Sequence, residues 1–217
     1  NEIRNGFLER KQQKEYITIN DARINKFKID WKNEKISKPN FLGVKIIDNL
    51  DLNILKDYID WSPFFRTWDL HGRYPNILED EIVGKQAMEL FIDAQKMLEK
   101  IISEKWLTAK GCFGIFRANS IEDDIEIFDS DLRNNSIHKF FTLRQQSKKG
   151  GSVPNIALAD FIAPKETNID DYIGTFCVST GFGCDEKAKL FEDMNDDYNS
   201  IMIKALADRL AEAFAEY

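Results

Sequence analysis

The chain has 217 residues, of which 43% are hydrophobic and 31% charged, and its net charge is −7 at pH 7. This length suits one globular domain, or one domain with an arm. The acidic balance argues against nucleic-acid binding, which needs a basic face. No apolar run approaches the roughly 20 residues of a membrane span, and the charged start lacks the apolar core of a secretory signal. We therefore expect a cytoplasmic protein that binds neither nucleic acid nor membrane.

Cysteine and histidine are sparse. Cys112, Cys177 and Cys184 are too few and too widely spaced for a disulfide framework. His71 and His138 stand in no ligand spacing with them, so we expect no metal site built by the protein.

Residues 1–40 are polar, with few apolar anchors. Their pattern predicts a short helix, a capped turn at Asn20 and Asp21, and a strap ending near Pro39. This composition is typical of an interdomain linker on the surface, with its charges forming a solvated face. The absence of Met at position 1 favours an excised piece of a longer chain.

Residues 41–106 predict one strand followed by helices. Residues 41–47 form the candidate strand, and residues 51–59 a short helix. A longer amphipathic helix then begins at the acids Glu79, Asp80 and Glu81, which its dipole favours there. Apolar residues at steps of three and four carry that helix to about residue 106.

The stretch 58–68 holds two Trp, two Phe and one Tyr, with Asp60 among them. Pro63 indicates the start of a helix. Proline suits the first helical position, because the N–H that it lacks is not needed there. Asp60 lies just upstream and could accept from free backbone N–H groups. Two interpretations stay open: a cap among core aromatics, or a ligand-binding acid in an aromatic-walled pocket.

The middle of the chain predicts strands, at residues 112–116, 125–128, 137–143, 157–164 and 172–179. The first two flank an acidic connection that we expect to be longer than a two-residue turn. Asp160 lies inside the fourth. Because a buried acid needs hydrogen-bond partners, Asp160 is either a structural anchor, which we favour, or part of a site.

Residues 185–217 predict helix with a break near Asn195. Arg209 and Glu212 are three residues apart on one face and could pair, whereas Asp208 is expected to point elsewhere. No stop signal precedes Tyr217, so we expect the helix to be cut there rather than finished. The whole pattern predicts an α+β fold, a mostly antiparallel twisted sheet with long flanking helices.

Several segments, taken in order, resemble one family. They are YIDWSPFF (58–65), ILEDE (77–81), DDIEI (123–127), LRQQ (143–146), ADFIAP (159–164), DDYN (196–199) and KALADRLAEAFAEY (204–217). Together they resemble the activation domain of cobalamin-dependent methionine synthase, over residues 41–217. Residues 1–40 resemble the linker from a preceding cobalamin-binding domain.

The resemblance implies an activity and its partners. In this family a methyl group passes from methyltetrahydrofolate to homocysteine through cobalamin, and oxidation to cob(II)alamin interrupts the cycle. The activation domain presents S-adenosylmethionine to cobalamin held by a partner domain, while a flavodoxin-type or diflavin reductase supplies an electron. The chain is then expected to be part of a methyltransferase of methionine biosynthesis, without catalytic residues of its own.

The resemblance also implies site residues. Asp60 matches the acid that holds S-adenosylmethionine, Glu212 matches a second acid lining that site, and Arg209 would orient Glu212. Two carboxylates suit a ligand that carries a sulfonium and an ammonium group. Asp208 is expected to face the cobalamin domain.

One family motif, Arg-Pro-Ala-Pro-Gly-Tyr-Pro, does not occur in the 217 residues. We therefore expect the domain to be incomplete at its C-terminus and this fragment to be inactive alone. The alternative is a docking module that binds the cobalamin domain or a flavoprotein reductase without S-adenosylmethionine. A hydrolase using Glu79 and Asp80 is disfavoured, because adjacent acids at a helix start need no catalytic explanation.

Overall fold

A computed structural model describes residues 15–217. Over this part, in chain order, the helices and strands are α1 (Ile19–Ile24), β1 (Gly43–Leu50), α2 (Leu52–Leu55), α3 (Trp61–Arg66), α4 (Gly84–Ser103), β2 (Thr108–Ile121), β3 (Asp124–Phe128), β4 (Ser136–Phe141), β5 (Asp171–Phe182), α5 (Cys184–Asp193) and α6 (Asp197–Glu216). Short 3-10 helices cover Lys56–Tyr58, Asn76–Glu79, Leu158–Phe161 and Lys165–Thr167.

The strands of the described residues form one mostly antiparallel sheet, which confirms the predicted α+β class. Its order is β1-β2-β3-β4, and β5 also pairs with β2. The predicted strands at 112–116, 125–128, 137–143 and 172–179 fall on β2, β3, β4 and β5. The predicted helix at 51–59 is instead α2 followed by a 3-10 turn.

The hairpin between β2 and β3 is tighter than predicted. Ile121 pairs with Asp124, so the connection consists of Glu122 and Asp123 alone. Glu122 has φ 56°, in the left-handed region. This conformation reverses the chain within two residues, and an acidic run does not reveal it in advance.

Two compact units divide the chain. Among the described residues, the first combines 15–43 with 114–175, and the second combines 44–113 with 176–217. The main apolar core belongs to the second unit, where α3, α4 and α6 contribute most of its large side chains. No helix within residues 15–217 has the length and apolar character needed to cross a bilayer.

The long helix α4 begins later than predicted. Asp80 Oδ1 accepts from the backbone N–H groups of Ile82 (2.9 Å) and Val83 (3.0 Å), which makes a turn ahead of the helix. The acids therefore shape the approach to α4 and do not occupy its first turn. The predicted apolar stripe is confirmed as buried, at Ala87, Leu90, Ala94, Met97, Leu98 and Ile101.

A buried ionic network organises the first unit. Arg144, with a fully buried side chain, donates to both carboxylate oxygens of Asp160 and to Asp123 Oδ1. Asp160 Oδ2 also accepts from Ala157 N at 3.0 Å. This local bond bends the backbone, so residues 157–164 contain a 3-10 helix and not the predicted strand. Asp160 is the structural anchor that the sequence favoured.

Residues 15–31 pack against other parts of the first unit. Arg23 donates to Asp123 Oδ2 at 2.7 Å, and Asn25 donates to Asn155 Oδ1 at 2.8 Å. Thr18 caps α1, so Asn20 and Asp21 lie within a helix and the predicted capped turn is wrong. The short helix expected ahead of Asn20 falls mainly on residues 1–14, outside the described part, and the linker boundary at residue 40 stays a prediction.

Candidate functional site

Asp60 caps α3, a helix of the second unit. Its Oδ1 accepts from Ser62 N at 2.9 Å, and the residue is exposed. The helix begins at Trp61, so Pro63 is its third residue and not its first as predicted. Proline is tolerated there because none of the first four helical N–H groups has an intrahelical acceptor.

The aromatic side chains next to Asp60 belong to the core. Trp61, Phe64 and Phe65 are buried, and the Trp61 ring meets Phe64 and Phe91 edge to face at 5.3 and 5.0 Å. They pack α3 against α4, as in the interpretation of a cap among core aromatics. Asp60 itself is exposed at the start of that helix.

Arg209 and Glu212 lie on α6 and form the predicted ion pair, between Nη1 and Oε2. Arg209 Nη2 also contacts Asp208 Oδ2 at 2.6 Å, so the expectation that Asp208 points away was wrong. The forked guanidinium reaches both carboxylates, which lie about one helical turn apart on α6. Arg209 is only 13% exposed, whereas Asp208 and Glu212 are 72% and 58% exposed.

The segment before Asp60 contacts the end of α6. Tyr58 and Tyr217 meet edge to face with ring centroids 5.6 Å apart, and both α3 and the 3-10 helix Lys56–Tyr58 contact α6. All three predicted site residues therefore belong to the second unit, on elements that touch. Asp60 and Glu212 take part in separate hydrogen-bonding groups, the α3 cap and the Arg209 cluster.

A cavity at the C-terminal end of α6 was missed by the sequence analysis. It has a volume of about 360 Å³, within the range of small-molecule pockets. Its lining is mostly apolar and comes from β1, β2, β5 and α6: Ile47, Cys112, Phe113, Phe176, Val178, Phe214, Ala215 and Tyr217. The cavity depends on contacts between residues distant in the sequence, so no local pattern indicated it.

The candidate residues of the second unit carry mostly negative charge. Three exposed carboxylates, those of Asp60, Asp208 and Glu212, are set against one guanidinium. Within residues 15–217, no group of three or more His, Cys, Asp or Glu side chains is arranged to hold a metal ion. These acids and the apolar cavity all belong to the second unit.

The described residues thus form an α+β domain with a mostly antiparallel sheet and exposed acids on its second unit. Residues 51–217 match the family model for "Vitamin B12 dependent methionine synthase, activation domain", and the chain belongs to that family. The resemblance found in the sequence is thereby confirmed.

The fold is also similar to a solved structure, the crystal structure of the MetH reactivation domain bound to AdoHcy. The two share 49% sequence identity with a TM-score of 0.88. The match covers 93% of this chain and 62% of that chain, so this chain spans less than two thirds of its neighbour's length.

Proposed function

We propose that this chain is the reactivation module of cobalamin-dependent methionine synthase and binds S-adenosylmethionine for the reductive methylation of cob(II)alamin. The observation that carries the proposal is the 49% identity to a MetH reactivation domain bound to AdoHcy. AdoHcy is S-adenosylmethionine without its transferable methyl group, so a pocket that holds one presents most of the contacts needed by the other.

Asp60 and Glu212 are the proposed ligand-holding residues. Methylation converts the neutral thioether of AdoHcy into the sulfonium of S-adenosylmethionine, and the ligand gains one positive charge. Carboxylates attract that charge, more strongly where the surroundings exclude water. Arg209 fixes the rotamer of Glu212 through their ion pair, so it acts as a positioning residue.

In this proposal the chain's own residues bind and orient S-adenosylmethionine, and the reaction takes place on cobalamin. When bound in a partner domain, cobalamin supplies the cobalt centre that accepts an electron and then the methyl group. In this proposal the partners are the cobalamin-binding domain and a flavodoxin-type or diflavin reductase, all in the cytoplasm. This chain contributes the placement of the methyl donor.

Calorimetry on the full 217-residue chain tests the proposal. We expect S-adenosylmethionine to bind, and Asp60→Asn and Glu212→Gln each to weaken its binding by roughly tenfold, about 1.4 kcal/mol. AdoHcy, which lacks the sulfonium charge, should lose less affinity than S-adenosylmethionine in both variants. Asp57→Asn removes the same charge from a nearby exposed position and should leave both affinities unchanged.

The docking alternative makes a different prediction. If the parent chain binds a cobalamin-binding domain but gives no heat with S-adenosylmethionine, the ligand-site proposal is wrong and the docking function is favoured. Binding that survives both substitutions would remove Asp60 and Glu212 from the site.

A further inference from the structure

Two close contacts indicate the register between β2 and β5 in the second unit, one within the paired strands and one just beyond their ends. A β-carbon on Gly111 would lie 3.0 Å from Val178 Cγ1, and one on Gly183 would meet the carbonyl oxygen of Trp106. Trp106 precedes Gly111 by five residues, and Val178 precedes Gly183 by the same number. The paired strands therefore run antiparallel here with a constant register.

This register sets Cys112 directly opposite Cys177. Opposed residues of an antiparallel pair have α-carbons about 4.5 or 5.5 Å apart, and their side chains leave the same face of the sheet. Both separations lie in the range of roughly 4.4–6.8 Å that disulfides span. The register therefore makes Cys112 and Cys177 candidates for a cross-strand disulfide bond.

The residues flanking the two cysteines show which face they occupy. Ala109 and Thr180 are fully buried, and Val178 packs on the main core. Because side chains alternate along a strand, Cys112 and Cys177 project from the opposite face. Cys177 is exposed and Cys112 is half-buried, so reagents in solution reach the pair.

We propose that Cys112 and Cys177 form a reversible dithiol–disulfide site that reacts with low-molecular-weight disulfides of the glutathione type. The Cys177 thiolate, the more exposed, attacks one sulfur of the reagent and releases one small thiol. The Cys112 thiolate then attacks the Cys177 sulfur of the mixed disulfide and releases the second. Two protein thiols are oxidised to one disulfide, and the reagent is reduced to two thiols.

Cys184 provides an internal comparison in the same unit. It is buried, and its Sγ lies 4.0 Å from the carbonyl oxygen of Ile203. Burial raises the pKa of the Cys184 thiol above its usual value, and this depletes the nucleophilic thiolate. The reaction should therefore select the cross-strand pair and leave Cys184 reduced.

The bond would form beside the cavity at the end of α6. Phe113 follows Cys112 and Phe176 precedes Cys177, and both phenylalanines line that cavity. A disulfide one residue away from each phenylalanine would fix the distance between these two sides of the cavity.

Mass spectrometry of the full chain tests the site. After incubation with oxidised glutathione and quenching with an alkylating agent, we expect a monomer with one internal disulfide and one alkylated cysteine. Trypsin leaves Cys177 and Cys184 in one peptide, so chymotrypsin, which cleaves after Phe182, is the protease of choice. The expected linked peptides contain Cys112 and Cys177, and dithiothreitol should release them.

Single substitutions provide the controls. Cys112→Ser and Cys177→Ser should each carry glutathione on the remaining partner and form no internal bond, whereas Cys184→Ser should behave as the parent does. The proposal is overturned if the parent carries glutathione on Cys112 and Cys177 separately. A bond to Cys184, or bonds only between chains, overturns it equally.

Discussion

Arg144 and Asp160 form a two-point ion pair inside the first unit, with Nη1–Oδ2 and Nη2–Oδ1 distances of 2.8 and 2.7 Å. Neither side chain has more than 2% of its surface exposed. The pair joins residues 16 positions apart and holds the 3-10 helix Leu158–Phe161 in place. Buried charges tolerate the loss of a partner poorly, because the remaining charge is neither solvated nor neutralised.

We predict that Asp160→Asn destabilises the protein by about 3 kcal/mol, since it leaves the buried Arg144 charge without its two-point partner. The free energy of unfolding in urea measures this change. Lys148→Gln breaks an exposed pair with Glu15 and serves as the control, with no measurable change expected. Equal effects of the two substitutions would contradict the assigned role of the network.

The same network predicts a loss of stability in acid. Burial opposes ionisation of Asp123, but hydrogen bonds from Arg144 and Arg23 outweigh it and hold the pKa of that carboxyl below its usual value. A carboxyl with a lowered folded-state pKa stabilises the protein above its unfolded pKa, near 3.9. That contribution disappears as the pH falls through the lower, folded-state pKa.

Urea unfolding of the parent and of Asp123→Asn across pH 6 to about 2.5 measures this dependence. We expect the parent to be the more stable at pH 6, and the difference between the two proteins to shrink steadily below about pH 4. A difference that stays constant over the whole range would show that the Asp123 charge contributes nothing to folding.

Local patterns in the sequence predicted the parts of the fold that depend on local causes. The stripes of α4 and α6 follow from periodicity, and the break near Asn195 coincides with a left-handed residue ahead of the Asp196 cap. The 3-10 helix at Leu158–Phe161 was not predicted, because the Asp160 carboxylate that accepts from Ala157 N is held in place by Arg144, 16 residues earlier. The apolar run ended by Pro164 favours a strand there.

The candidate site was predictable to a similar extent. The spacing of Arg209 and Glu212 gave their pair, and Asp60 was recognised as a possible cap. The contact of Tyr58 with Tyr217 joins residues distant in the sequence, so no local pattern reports it. The cavity at the end of α6 likewise requires three strands and a helix to be assembled.

Substitution should separate the two roles of Asp60, which are the cap of α3 and the proposed ligand-holding charge. Asparagine keeps a side-chain oxygen that can accept from Ser62 N, whereas alanine removes it. We predict that Asp60→Ala lowers the free energy of unfolding by about 1 kcal/mol and that Asp60→Asn changes it little. Thermal unfolding monitored by circular dichroism provides the comparison. If asparagine destabilised as much as alanine, charge and not the cap would stabilise α3.

Gly183, which joins β5 to α5, is predicted to tolerate no side chain. Its φ is +93°, and a β-carbon there would collide with the carbonyl oxygen of Trp106, a backbone atom that cannot rotate away. Gly183→Ala should therefore cost about 2 kcal/mol or more in urea unfolding, through backbone strain and steric overlap together. Gly174, within β5, would have no heavy atom within 4 Å of an added β-carbon and has no positive φ. Gly174→Ala should consequently be tolerated, and similar losses in both variants would show that the Trp106 contact is unimportant.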